Sequence, residues 1–290
     1  MFIIGIPYIM LYINLSCLYL RSMTLTGRNR LFKILFIISV SLLGLLALTT
    51  VLRFLTNKPV TLPDFDFSSI TGVITFLFSP MPYAALLSTI FISVYAPIAC
   101  YLVRYSFEKT QSAEIIYFSV FLIGCLCEFF SLAIPVFSLW NSYSFMLLFI
   151  GRGAFAGRLL TVFSFLFAAL FSKESQIQEA DRNVIITIFL SILFAAIIPV
   201  DARTISSAMM VKTGFNTTFT AAKICLSVIT FFTFFFTDRK LTGIGYLILY
   251  GGYAILITGS SPFTTLFGSI CLFIGSRIYL NEIHMYYLWK

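Results

Sequence analysis

Runs of roughly twenty mostly apolar residues recur along this chain, and that recurrence limits the fold more than any other feature. A helix needs about 20 such residues to cross a hydrocarbon core about 30 Å thick. The candidate spans are Phe2–Leu20, Ile34–Leu52, Pro82–Leu102, Ile115–Leu139, Ser144–Phe171, Val184–Val200, Ser207–Phe236, Leu241–Thr258 and Phe263–Leu280. Composition agrees: 60% of the 290 residues are hydrophobic and 10% are charged, against about half and about a quarter in a soluble domain. A chain with 34 phenylalanines cannot bury its apolar surface against itself in water, so lipid must solvate much of it. The reading is an all-α, polytopic integral membrane helix bundle of about nine transmembrane helices, one domain over residues 1–290.

Charge then sets the expected topology. The links after the first, third, fifth and seventh spans hold Arg21, Arg28, Arg30, Lys33, Arg104, Lys109, Lys173, Arg182, Arg239 and Lys240. The alternate links hold only Arg53, Lys58 and Arg203. Basic residues accumulate in cytoplasmic loops, which puts the N-terminus outside and the C-terminus in the cytoplasm of a cell-membrane protein. The first run lacks a basic leader and an A-x-A-like cleavage site, so it reads as a retained helix. The net charge of +8 is thus a topology signal, and no nucleic-acid partner is expected.

Two features of organisation stand out. Residues 53–81 form a long outer link in which the apolar stretch Ile70–Phe78 is too short to span, so an interfacial or re-entrant segment is expected. "LAIPV" ending at Val136 and "AIIPV" ending at Val200 suggest tandem helix-pair repeats over 114–174 and 182–239, since even-length units repeat in parallel.

Catalytic and metal-binding patterns are scarce. The six cysteines all lie in apolar runs without a C-x-x-C pair, and His284 is the lone histidine. A zinc site needs a denser ligand cluster, and no nucleotide-binding or hydrolase motif is present. No cofactor or metal is expected, and the non-enzyme readings lead. The pair Asp64 and Asp66 leaves one enzymatic alternative, a transferase acting on a lipid-linked substrate. The charged connector Ser172–Asn183 reads as a solvated turn to which a partner protein could dock; a homo-oligomer is equally compatible with the sequence.

Charges at depth are the sharpest functional signal. The apolar run after Arg158, Leu159–Phe171, covers only about 20 Å at 1.5 Å per residue, so the helix must continue through Arg158 to cross. Glu128 and Lys223 fall at the same depth by the same count: each of the three lies 13 residues from the cytoplasmic end of its span. Ionisable groups near the bilayer centre cost roughly 2.5–3.5 kcal/mol each and face partners or water. A Glu128–Arg158 ion pair is expected, with Lys223 leaving the layer at +1. Gly153 and Gly157 supply a small-residue face for close helix packing, and Gly151 loosens the same helix. Arg152, six residues toward the outer side, can snorkel to the interface. The candidate binding residues are Arg158, Lys223, Glu128, Arg152 and Lys212, with Arg203 near the mouth of an outward-open polar cavity. The leading function is a small permease or carrier for an anionic solute or lipid head group. The alternative is a sensor or receptor module acting through a partner protein.

Overall fold

The computed structural model describes residues 25–55, 72–107, 112–137, 139, 144–171, 180–205, 211–237 and 239–288. The expected first span Phe2–Leu20, the residues Asp64 and Asp66, and most of the connector 172–183 lie outside them. In chain order the elements are α1 (Leu25–Leu55), α2 (Val73–Phe78), α3 (Pro82–Ser106), α4 (Ala113–Cys127), α5 (Phe129–Phe137), α6 (Ser144–Leu170), α7 (Ala180–Ile197), a hairpin of β1 (Val200–Ile205) and β2 (Val211–Thr213), α8 (Asn216–Phe236), α9 (Lys240–Thr258) and α10 (Pro262–Leu288). Seven helical segments among the described residues are long and apolar enough to cross a membrane, with α4 and α5 counted as one. The sixth expected span, Val184–Val200, is the shorter apolar helix α7. The chain is a multi-pass helical bundle of the membrane type.

The bundle is helical as expected, and a short two-stranded hairpin corrects only the start of the seventh expected span. Residues from Ser207 were expected to be helical, yet α8 starts only at Asn216. Before it, Val200 pairs with Thr213 and Asp201 with Lys212 in antiparallel register. The physical reason is local composition: Val200, Thr204, Ile205, Val211 and Thr213 are β-branched, which favours extended backbone. Val200 closes the sixth expected span, and Val211 and Thr213 fall inside the seventh. Of the repeated motif, Pro135 sits inside α5, whereas Pro199 sits in the turn into β1.

Tertiary contacts define two ends of the bundle. At the basic end, an Arg28 guanidinium nitrogen donates to the Phe107 carbonyl. Glu114, fully buried, accepts from Arg239, from the Tyr287 hydroxyl at 2.8 Å and from the Ser112 hydroxyl at 2.9 Å. The Arg239 guanidinium also lies over the Tyr286 ring at 3.9 Å. Burial alone would lower the pKa of Arg239; Glu114 and Tyr286 together more than offset this and raise it. This cluster ties the start of α4 to the α8–α9 link and the end of α10. At the opposite, hairpin end, the Met81 amide donates to the Ser260 carbonyl at 2.7 Å. There α2 rests on the start of α10 through Phe78 and Phe263, with ring centres 4.8 Å apart.

Between the ends lies a layer of buried aromatic rings. Phe121 and Phe165 are 4.8 Å apart, Phe165 and Tyr246 5.0 Å, and Phe165 and Tyr279 5.4 Å. Helices α4, α6, α9 and α10 meet through these rings. By contrast α1 and α8 are peripheral, with 11% of their apolar windows buried; their outward faces are the surfaces that lipid must cover.

Candidate functional site

A close helix crossing positions the charged pair. A Cβ added at Gly157 of α6 would lie 2.3 Å from Cys127 Cβ and 2.9 Å from the Gly124 carbonyl oxygen of α4. Only glycine permits this approach. Glu128 follows Cys127 at the turn between α4 and α5, where its amide bonds back to the Cys125 carbonyl at 3.2 Å, three residues away instead of four. The adjacent Arg158 therefore faces it. Gly153, the other half of the small-residue face, meets the Phe130 ring instead. Helix α6 runs unbroken through Gly151, over which Val200 and Val211 of the hairpin close at 3.0–3.2 Å from a built Cβ.

The expected ion pair is present and bidentate. Arg158 Nε donates to Glu128 Oε1 at 2.8 Å, and Nη2 donates to Oε2 at 2.9 Å. Ser131 Oγ donates to Oε2 at 3.2 Å and accepts from Nη2 at 3.3 Å. The Tyr253 hydroxyl donates to Oε1 at 3.4 Å. A buried pair compensates its desolvation only with good geometry and satisfied lone pairs; here two parallel bonds and two hydroxyls meet both conditions. Ser131 and Tyr253 escaped the sequence reading. Ser131 is one turn past Glu128, a signal available in the sequence, whereas Tyr253 is 125 residues away and nothing local marks it.

Two spaces adjoin Arg158. Toward the hairpin end is a small pocket of about 10 Å³, capped by Val211 and Thr213. The larger space, about 310 Å³, lies between α8 and α9. Thr220, Lys223, Ser227 and Val228 line it from one stripe of α8, and Leu247, Tyr250, Gly251 and Ala254 from the facing stripe of α9, with Arg158 also contributing. Ile224 and Leu247 on its walls are more than half exposed, so the groove opens sideways, where lipid would lie. A Cβ at Gly251 would meet nothing within 4 Å, so this residue leaves the space empty.

The structure brings three of the five candidates together: Glu128 and Arg158 in the pair, Arg158 and Lys223 on the groove. No salt bridge or hydrogen bond reaches Lys223 among the described residues. Arg152 lines neither space, and its buried Nε finds no hydrogen-bond partner among the described residues. Lys212 and Arg203 lie in the hairpin strands, and their side chains lie outside the described set. Among described residues no group of three or more His, Cys, Asp or Glu could hold a metal. Chemically, the arrangement offers a neutral buried pair beside Lys223, which has no salt-bridge partner among the described residues, on an otherwise mostly apolar wall.

Comparison with protein families, with curated proteins and with solved structures gives no match to this chain. Fold and site define its class, a multi-pass apolar helix bundle with a buried ion pair.

Proposed function

We propose that the chain is a carrier for an amphiphilic anion, with the α8–α9 groove as its binding site. The observation that carries this reading is Lys223. Among the described residues it has no salt-bridge partner, and it lies on a groove that it shares with Arg158. Glu128, Arg158 and Lys223 sum to +1, and an anion supplies the missing charge. The apolar walls and the sideways opening suit a ligand with a carboxylate or phosphate head and a hydrocarbon body. Positive charge is concentrated at the Arg28–Arg239 end, which by the positive-inside rule is cytoplasmic. The groove then lies in the outer half of the bilayer.

Gly251→Leu tests the groove itself. The substitution fills the open space and favours the helix by about 0.8–1 kcal/mol, so the protein should fold. In liposomes, the wild-type chain should speed transbilayer movement of a fluorescent phosphatidylglycerol far more than of phosphatidylcholine. Gly251→Leu should slow that movement at least about tenfold, which corresponds to 1.4 kcal/mol in the barrier. Absence of any protein-dependent movement would remove the carrier reading. The aromatic layer of Phe121, Phe165, Tyr246 and Tyr279 favours a second reading, because it closes the bundle beneath the groove. A one-sided pocket suits a sensor that signals through a partner protein. Ligand binding that Gly251→Leu abolishes, without movement across the bilayer, is what that reading expects.

A further inference from the structure

A second groove, of about 650 Å³, lies between α3 and α10 near the basic end. We propose that it holds a phospholipid of the adjoining leaflet, with Arg277 gripping the phosphate. The site is separate from the α8–α9 groove and shares no lining residue with it.

The argument starts from Arg277. It lies 15 residues beyond Pro262, the start of α10 at the hairpin end. At 1.5 Å per residue that is about 22 Å along the helix, still within a hydrocarbon core of about 30 Å. An arginine at that depth requires a partner or water. Among the described residues no salt bridge or hydrogen bond reaches its guanidinium. Asn281 and His284 follow at four- and three-residue steps, so all three share one stripe of α10 and all three line the groove.

Polarity along the groove is graded as a lipid is graded. Deepest are Ile98 and Phe273, with a floor sealed by the 2.7 Å bond between the Tyr95 and Ser276 hydroxyls. Arg277 comes next, and Asn281 and His284 lie closest to the basic end. A hydrocarbon chain along the inner part would place its phosphate against the arginine. Guanidinium groups bind phosphate through two parallel hydrogen bonds. Asn281 and His284 are then placed for the remainder of the head group. A free phosphate ion would use the polar end and leave the apolar half empty, so the lipid fits the whole site.

The test uses the full chain in nanodiscs containing a phosphatidylglycerol with a photoreactive group in its acyl chain. After irradiation, adducts should map to the α3 and α10 peptides that carry Ile98 and Phe273. Arg277→Gln should lower that adduct about tenfold, the equivalent of 1.4 kcal/mol, while Arg277→Lys should retain more of it than Arg277→Gln. Because Arg277 is exposed, both variants should elute as the wild type does. Excess inorganic phosphate should not compete. The proposal is overturned if no adduct forms on these peptides, if Arg277→Gln labels as well as wild type, or if a phosphatidylcholine analogue labels equally whatever residue stands at 277. Loss of the adduct to inorganic phosphate would reassign the site to the free ion.

Discussion

Glu128→Gln is expected to lower stability by about 3–5 kcal/mol, the cost of removing one partner of a buried pair. The substitution keeps the shape but removes the charge that Arg158 meets through two bonds, at 2.8 and 2.9 Å. Its layer would then hold two positive groups, Arg158 and Lys223, and no negative one. Desolvated like charges raise the cost further. Size-exclusion yield and thermal unfolding of the purified variant check this. Adding Arg158→Met should restore much of the loss, because replacing both partners of a buried pair by apolar groups is often neutral. Arg158→Lys keeps the charge but gives up the planar fork, so a smaller loss is expected. Wild-type stability in Glu128→Gln would show that the pair is not a structural clasp.

A second large effect is expected at Gly252, and its neighbour supplies the control. Helices α9 and α10 touch backbone to backbone. A Cβ at Gly252 would lie 2.5 Å from the Leu272 amide nitrogen and 2.9 Å from the Cys271 carbonyl carbon. Reciprocally, a Cβ at Gly275 would lie 2.2 Å from the Leu249 amide nitrogen. Backbone atoms cannot step aside as a side chain can. Gly252→Leu should therefore exceed the roughly 1–3 kcal/mol typical of core overpacking and abolish the monodisperse folded species. Gly251→Leu places the same side chain one residue earlier, where nothing lies within 4 Å, and should fold. Helix propensity and hydrophobicity are identical in the two variants, so equal yields would contradict the observed α9–α10 contact.

Counting residues from the ends of apolar runs was enough to find the Glu128–Arg158 pair, because helix rise converts sequence distance into depth. The spans corresponding to α3, α6, α9 and α10 were readable for the same reason. Depth, however, carries no azimuth. In a lipid-solvated helix the outward face is as apolar as the inward one, so the 3.6-residue period that marks a soluble amphipathic helix is washed out. That is why the sideways opening beside Lys223 and the cap formed by Val211 could not be read from the chain. The hairpin was lost among apolar β-branched residues. The Glu114–Arg239 contact was lost for another reason: the two residues are 125 apart, and each looked like an ordinary loop charge. The α9–α10 seam did leave a trace, since Gly245 and Gly252, and likewise Gly268 and Gly275, recur at seven residues.

Lys223 carries the central claim, and ligand-dependent thermal stability tests it most directly. Dodecyl phosphate or dodecanoate at about 100 times its dissociation constant should stabilise the wild type by about 2.7 kcal/mol. For a chain of this size that is a rise of roughly 5–10 °C in midpoint, and uncharged dodecyl maltoside should give none. Lys223→Met should be at least as stable as wild type without ligand, because it removes a desolvated charge worth roughly 2.5–3.5 kcal/mol. It should also lose most of the anion-dependent rise. A wild type that no anion stabilises, or a Lys223→Met variant that responds as the wild type does, would contradict the account.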